Sequence, residues 1–125
     1  MTNTQSPNIL IVEDSPVMSL ILQKHLQSIL KCNILAASTI SDAKTHLFEI
    51  DIHIIISDIM LPGGENGIDF LKYIRKDQRF HKIKFYVITA HNDLSIRTEA
   101  YKLNCDGFLY KPFTRDQLRE MLNYE

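Results

Sequence analysis

A chain of 125 residues has room for one compact domain around one core. Its 14 Lys and Arg nearly cancel its 15 Asp and Glu, which argues against the basic excess of a dedicated nucleic-acid surface. No apolar run is long enough to cross a membrane, and the polar start Met1-Thr-Asn-Thr-Gln-Ser-Pro-Asn8 has no signal-peptide stretch, so the expected compartment is the cytoplasm.

Residues 1–7 read as a flexible segment ahead of one domain over 8–125. Ile9-Leu10-Ile11-Val12 has no polar interruption and predicts a buried strand. Asp14 or Ser15 caps the next helix, and Pro16 suits its first turn. Val17, Leu20, Ile21, Lys24, His25 and Ile29 keep helical spacing there, and Leu22, Leu26 and Leu30 widen the apolar face. Ile34-Leu35-Ala36-Ala37 predicts a second strand, and Thr39 or Ser41 opens a helix carrying Ala43, Leu47 and Phe48. Ile54-Ile55-Ile56 is the third strand, ending in Ser57-Asp58 before a loop marked by Pro62, Gly63, Gly64 and Gly67. Ile68, Leu71 and Ile74 share one face of the helix that follows. Arg75, Lys76, Arg79, Lys82 and Lys84 form a basic cluster, read as a solvated helix end and loop. Phe85-Tyr86-Val87-Ile88 is the fourth strand, closed by Thr89-Ala90, and a helix is predicted over 94–103. Gly107-Phe108-Leu109-Tyr110 is the fifth strand, closed by Lys111-Pro112. Thr114-Arg-Asp-Gln117 is a capping-box signature for a last helix carrying Leu118, Met121 and Leu122. Cys32 and Cys105 show no metal or disulfide spacing and read as small apolar residues in a reducing compartment.

Strict strand–helix alternation predicts an α/β fold, a parallel sheet covered by helices on both sides. In such sheets chemistry sits beyond the carboxyl ends of the strands. The residues just past those ends are Glu13 and Asp14, Asp58, Thr89 and Lys111. They converge if the strand order is the flavodoxin-like 2-1-3-4-5, a (βα)5 three-layer sandwich. Taken singly, each is bland: a helix cap, a turn residue, a strand-end hydroxyl, a strand stop. Taken together, three carboxylates repel one another unless a hard cation joins them. Oxygen ligands select Mg²⁺. Mg²⁺ with Lys111 would balance the charge, and a carboxylate can carry a phosphoryl group as an acyl phosphate.

Four segments resemble the response-regulator receiver family: Ile11-Val12-Glu13-Asp14-Ser15, Ser57-Asp58-Ile59-Met60-Leu61-Pro62-Gly63, Val87-Ile88-Thr89-Ala90 and Gly107-Phe108-Leu109-Tyr110-Lys111-Pro112-Phe113. They stand in family order over about residues 8–122. The resemblance implies that Asp58 accepts a phosphoryl group from a phosphohistidine on a histidine kinase or phosphotransfer protein. It implies that Asp14, Asp58 and the Met60 carbonyl ligate Mg²⁺, with Glu13 acting largely through water. Thr89 and Lys111 would then bind the phosphoryl group, and the Lys111-Pro112 bond would be cis. Thr89 and Phe108 would form the switch, and Tyr101, Phe108 and Tyr110 would mark the output face toward a downstream protein target or a phosphorylation-linked homodimer. No direct nucleic-acid binding, membrane insertion or classical enzyme activity is expected, beyond the domain's own phosphorylation and autodephosphorylation. The resemblance fits a single-domain regulator or a piece of a longer regulator or hybrid kinase.

Three departures stand out. The loop from Pro62 to Gly67 is one residue longer than the commonest family form, Lys84 stands where proline is frequent, and Thr39-Ile40-Ser41 replaces a frequent glycine turn. Phe108 also lacks the hydroxyl of the tyrosine variant. A carboxylate-nucleophile phosphohydrolase is the enzymatic alternative, but it wants a second aspartate where Met60 stands. A nucleotide- or flavin-binding module would present glycines or hydroxyls to phosphate, whereas Glu13-Asp14-Ser15-Pro16 repels it without a metal. A degenerate receiver used only for docking would not need the complete acidic set.

Overall fold

Five apolar runs, too short for helices and enriched in β-branched residues, become the strands of one parallel sheet in a computed structural model of the protein. The structure describes residues 6–64 and 66–122. The strands are β1 (Asn8–Val12), β2 (Asn33–Ala37), β3 (Ile54–Asp58), β4 (Lys84–Thr89) and β5 (Gly107–Tyr110). They alternate with α1 (Pro16–Ile29), α2 (Ile40–Glu49), α3 (Gly67–Lys76), α4 (Leu94–Lys102) and α5 (Arg115–Leu122). The sheet order is β2-β1-β3-β4-β5 with every pairing parallel, the flavodoxin-like order the site argument required. Of the expected segment 1–7, residues 1–5 lie outside the described residues, as do 123–125. The Pro7 carbonyl accepts the Asn33 N–H at 2.9 Å.

Strand periodicity divides the core into two layers. Leu10, Val12, Ile55, Phe85 and Val87 pack with Ala43, Leu47, Leu71, Ile74 and Ala100 of α2, α3 and α4. Ile9, Ile11, Ile54, Ile56, Tyr86 and Ile88 pack with Leu22, Leu26, Leu118 and Leu122 of α1 and α5. The caps follow local hydrogen-bonding chemistry. Ser15, not Asp14, caps α1, its Oγ accepting the Met18 N–H at 3.2 Å. Thr39, not Ser41, caps α2 through the Asp42 N–H at 3.1 Å. Thr114 and Gln117 form the reciprocal capping box, at 2.8 and 3.1 Å. Among the described residues no helix is long and apolar enough to cross a membrane.

Two expectations are corrected. The core takes Ser19, Leu22 and Leu26 from α1, whereas Val17, Leu20 and Ile21 are 69%, 52% and 40% exposed. Both sets keep helical spacing, so periodicity alone could not say which faces the sheet. The basic cluster is also only partly solvated. Lys76, Lys82 and Lys84 are exposed, but Arg79 pairs with Asp77 at 2.6 Å and lies 4.7 and 4.9 Å from the Phe48 and Phe80 rings. Arg75 is drawn into a network of backbone carbonyls. Cys105 is buried, and desolvation pushes its thiol up to about 11.

The α1 correction is directly measurable. Leu26→Ala should cost about 2–5 kcal/mol in urea unfolding, as buried leucine truncations do. Leu20→Ser should stay within about 0.5 kcal/mol, as exposed substitutions do. Equal losses at the two positions would contradict the burial seen here.

Candidate functional site

Register brings the strand ends level. Val12 lies opposite Ser57, Asp58 opposite Ile88, and Thr89 opposite Tyr110. The last residues of β3 and β4, Asp58 and Thr89, and the residues just after β1 and β5, Glu13 and Lys111, therefore reach one rim at the carboxyl edge of the sheet. There the Lys111 ammonium sits 2.6 Å from Glu13 Oε1 and 2.6 Å from Asp58 Oδ2. Both carboxylates are buried. The other Asp58 oxygen, Oδ1, accepts the Ile59 N–H at 2.6 Å and the Met60 N–H at 3.3 Å. Glu13 Oε2 accepts the Ser15 N–H at 3.1 Å. Asp14, freed from capping, is exposed, yet an oxygen of each of Glu13, Asp14 and Asp58 lies within 4.8 Å of the others.

The electrostatics are asymmetric. Burial dominates at Glu13 and raises its carboxyl above the ordinary range, although Lys111 and the Ser15 N–H oppose this. At Lys111 burial works against the ammonium, but the bonds and charges of Asp58 and Glu13 outweigh it and raise the amine. One ammonium among three carboxylates leaves about two negative charges. The donor set is all oxygen and the residual charge is that of a divalent ion, so the residues fit a hard cation such as Mg²⁺.

The longer loop after Asp58 resolves into a 3-10 turn over Pro62–Gly64, with Gly63 and Gly64 at φ 78° and 74°. Met60 bridges to Asn66, whose Oδ1 caps α3 through the Ile68 N–H at 2.7 Å. Gly67 then starts α3 so close to β3 that any Cβ would strike the Asp58 carbonyl oxygen. Its N–H donates to Ile59 O at 2.7 Å. Sequence reasoning marked Gly67 only as a loop residue; a glycine opening a helix, where it is poorly favoured, was the available signal. It also missed the Glu13–Lys111 bond, and Ser57, whose buried hydroxyl donates to the Asp58 carbonyl at 2.9 Å.

Thr89 is fully buried, and its Oγ accepts the His91 N–H at 3.1 Å. Its carbonyl accepts the Lys111 N–H at 2.9 Å, and the Lys111–Pro112 peptide is cis. Phe108 is half-buried, its ring 5.2 Å from that of Tyr110 and 6.5 Å from that of Tyr101. Those three aromatics form one cluster, and the acidic rim forms another.

The sequence and the fold match known proteins. The family model for the response regulator receiver domain matches residues 9–123, and the chain belongs to that family. Response regulator Rre1 of Synechocystis sp. is 30% identical over 115 residues, 92% of this chain and 49% of that protein. The chain thus spans about half the length of the curated relatives it matches, which are response and transcriptional regulators. Among solved structures, chemotaxis response regulator CheY4 of Vibrio cholerae superposes with a TM-score of 0.84 at 22% identity, over 95% of this chain and 98% of that one. RcsB of Salmonella enterica serovar Typhimurium, bound to promoter rprA in the presence of the phosphomimetic BeF3−, gives 0.83 at 25% identity, over 93% and 66%.

The buried bridge makes its own prediction. Lys111→Met should destabilise the metal-free protein by about 3–5 kcal/mol, because two buried carboxylates lose their cation. Adding Glu13→Gln to that variant should recover part of the loss in chemical denaturation. A double variant no more stable than Lys111→Met would show that carboxylate repulsion is not the cause.

Proposed function

We propose that this domain is a phosphorylation-dependent signalling switch that accepts a phosphoryl group on Asp58, with Mg²⁺ bound beside it, from a phosphohistidine on a histidine kinase or phosphotransfer protein. The observation that carries this reading is the state of Asp58. It is a buried carboxylate with one oxygen on two backbone N–H groups and the other on Lys111. Such a group is oriented before reaction and has no solvent cage to shed. In the transfer, an Asp58 oxygen bonds to phosphorus as the phosphorus–nitrogen bond breaks, and the electron pair leaves with the imidazole.

Lys111 offsets the negative charge that gathers on the phosphoryl oxygens. Asp14, Asp58 and the Met60 carbonyl would hold the metal, with Glu13 close by. Bound Mg²⁺ supplies charge neutralisation at the phosphoryl oxygens. The Thr89 hydroxyl uses a lone pair on the His91 N–H, so its proton remains to donate to a phosphoryl oxygen. Moving Thr89 would vacate space for the Phe108 ring, carrying the event to Tyr101, Tyr110 and a downstream target or second copy. Val17, Leu20 and Ile21, exposed on α1 just past Asp14, offer an apolar surface to a protein donor. A cytoplasmic site of action follows from such a donor. The phosphohydrolase alternative lacks an acid at position 60, where an exposed methionine stands.

Intact-mass analysis after acetyl phosphate and Mg²⁺ should show one phosphoryl group on the native chain and none on Asp58→Asn, with the fold retained. Equal phosphorylation of the variant would sink the assignment. Millimolar Mg²⁺ should raise the melting temperature by mass action, and Asp14→Asn should diminish that rise. A melting temperature indifferent to Mg²⁺ in both proteins would count against the metal.

A further inference from the structure

Arg75 lies near the carboxyl end of α3, whose other end packs against Asp58 at the rim, and it makes more charged hydrogen bonds than any other described cation outside the site. Its side chain is 16% exposed. Nη1 donates to Ile83 O at 2.7 Å and His81 O at 3.0 Å, on the approach to β4. Nη2 donates to Asn104 O at 2.9 Å and Asp106 Oδ2 at 3.0 Å, on the turn that leaves α4. Asp106 Oδ2 also accepts the Phe85 N–H at 2.8 Å. One planar guanidinium thus joins α3, the start of β4 and the α4–β5 turn, a use for which lysine has no equivalent fork.

That turn is itself rigidly closed. The Cys105 N–H returns to Ala100 O at 3.1 Å and the Asn104 N–H to Tyr101 O at 3.0 Å. Asn104 takes a left-handed φ of 63°. This is a Schellman closure, here with asparagine in the usual glycine position. The other end of α4 is held far less. Ala100 is the only buried residue of the helix, and Leu94 in its first turn is 74% exposed. Asp93 caps Ser95 in solvent at 2.9 Å. His91, whose N–H is on the Thr89 hydroxyl, lies just ahead of this loose end.

We infer that Arg75 is a pivot pin: it fixes the carboxyl end of α4, so that a change at Thr89 swings the amino end of the helix about the turn at 103–106. The swing rests on the phosphoswitch reading above; the pin itself does not. Arg75 is a positioning residue, remote from the reacting atoms, and its effect is directional. With the pin in place, the response to phosphorylation is graded along α4, large at 91–98 and absent at 103–106. Without it, the closed turn loses its anchor and the gradient flattens.

The test is amide exchange on the full chain, with and without beryllofluoride and Mg²⁺, for the native protein, Arg75→Met and the milder Asp106→Asn. Met keeps the aliphatic stem; Asn keeps an acceptor for the Phe85 N–H while removing the negative charge that faces Arg75. In the free protein, Arg75→Met should speed exchange at 99–108 by about tenfold or more, the scale of lost hydrogen bonds to a charged donor, and leave β1 and α1 unchanged. Asp106→Asn should give a smaller change in the same window. Exchange unchanged in that window, or raised evenly over the domain, would overturn the pin. Beryllofluoride should then alter 91–98 but not 103–106 in the native protein, and both segments in Arg75→Met. Equal native responses at the two ends would overturn the pivot. If beryllofluoride fails to bind at Asp58, the phosphoswitch reading fails and the pivot with it, while the free-protein comparison still decides the pin.

Discussion

Two buried carboxylates share one ammonium, and the rest of the site depends on that arrangement. Lys111 stands at 2.6 Å from both Glu13 and Asp58. Buried like charges are tolerated only when a counterion is held close. Holding it requires that the ends of β1, β3 and β5 arrive at one rim, although β5 lies at the sheet edge, two strands from β3. The bond from the Lys111 N–H to Thr89 O extends the β4–β5 ladder by one residue and sets where the amine begins. The residual negative charge is left facing solvent through exposed Asp14, where a divalent ion or a phosphoryl group's own counterions can reach it.

Around this charge cluster the backbone is packed with little tolerance. Gly67 brings the first turn of α3 against the carbonyl of Asp58, and the Ser57 hydroxyl bonds that same carbonyl. The Ile59 and Met60 N–H groups hold the Asp58 carboxylate from the loop side. A side chain so constrained has few rotamers left to lose, which is the physical content of preorganisation. The opposite condition holds in α4, with a single buried residue and one firmly closed end. A domain of this size can thus combine a rigidly held carboxylate with an element of low local stability, the pattern from which conformational signals are drawn.

Much of this was legible beforehand because strand and helix periods, caps and breakers are local. The five strands follow from short apolar runs in strict alternation, and, once the order is taken as 2-1-3-4-5, the rule for strand ends places Glu13, Asp14, Asp58, Thr89 and Lys111 at one edge. The capping box at Thr114 and Gln117 was visible for the same reason, since its partners are three residues apart.

The remainder needed partners distant in the chain. Val17, Leu20 and Ile21 share helical spacing with Leu22 and Leu26, and only the docking of α1 on the sheet decided which set faces water. Arg75 and Arg79 sit in a basic run, and only the fold supplied the carbonyls of Asn104 and Ile83 and the rings of Phe48 and Phe80 that take them out of it. Glu13 reads as an acid beside a metal, yet 98 residues separate it from the lysine it bonds. Local sequence determines which backbone conformations and which exposed or buried characters are available to each segment. Which of two equivalent faces is covered, and which charge meets which, is decided by tertiary packing, because burial and Coulomb energy depend on distance in space and not along the chain.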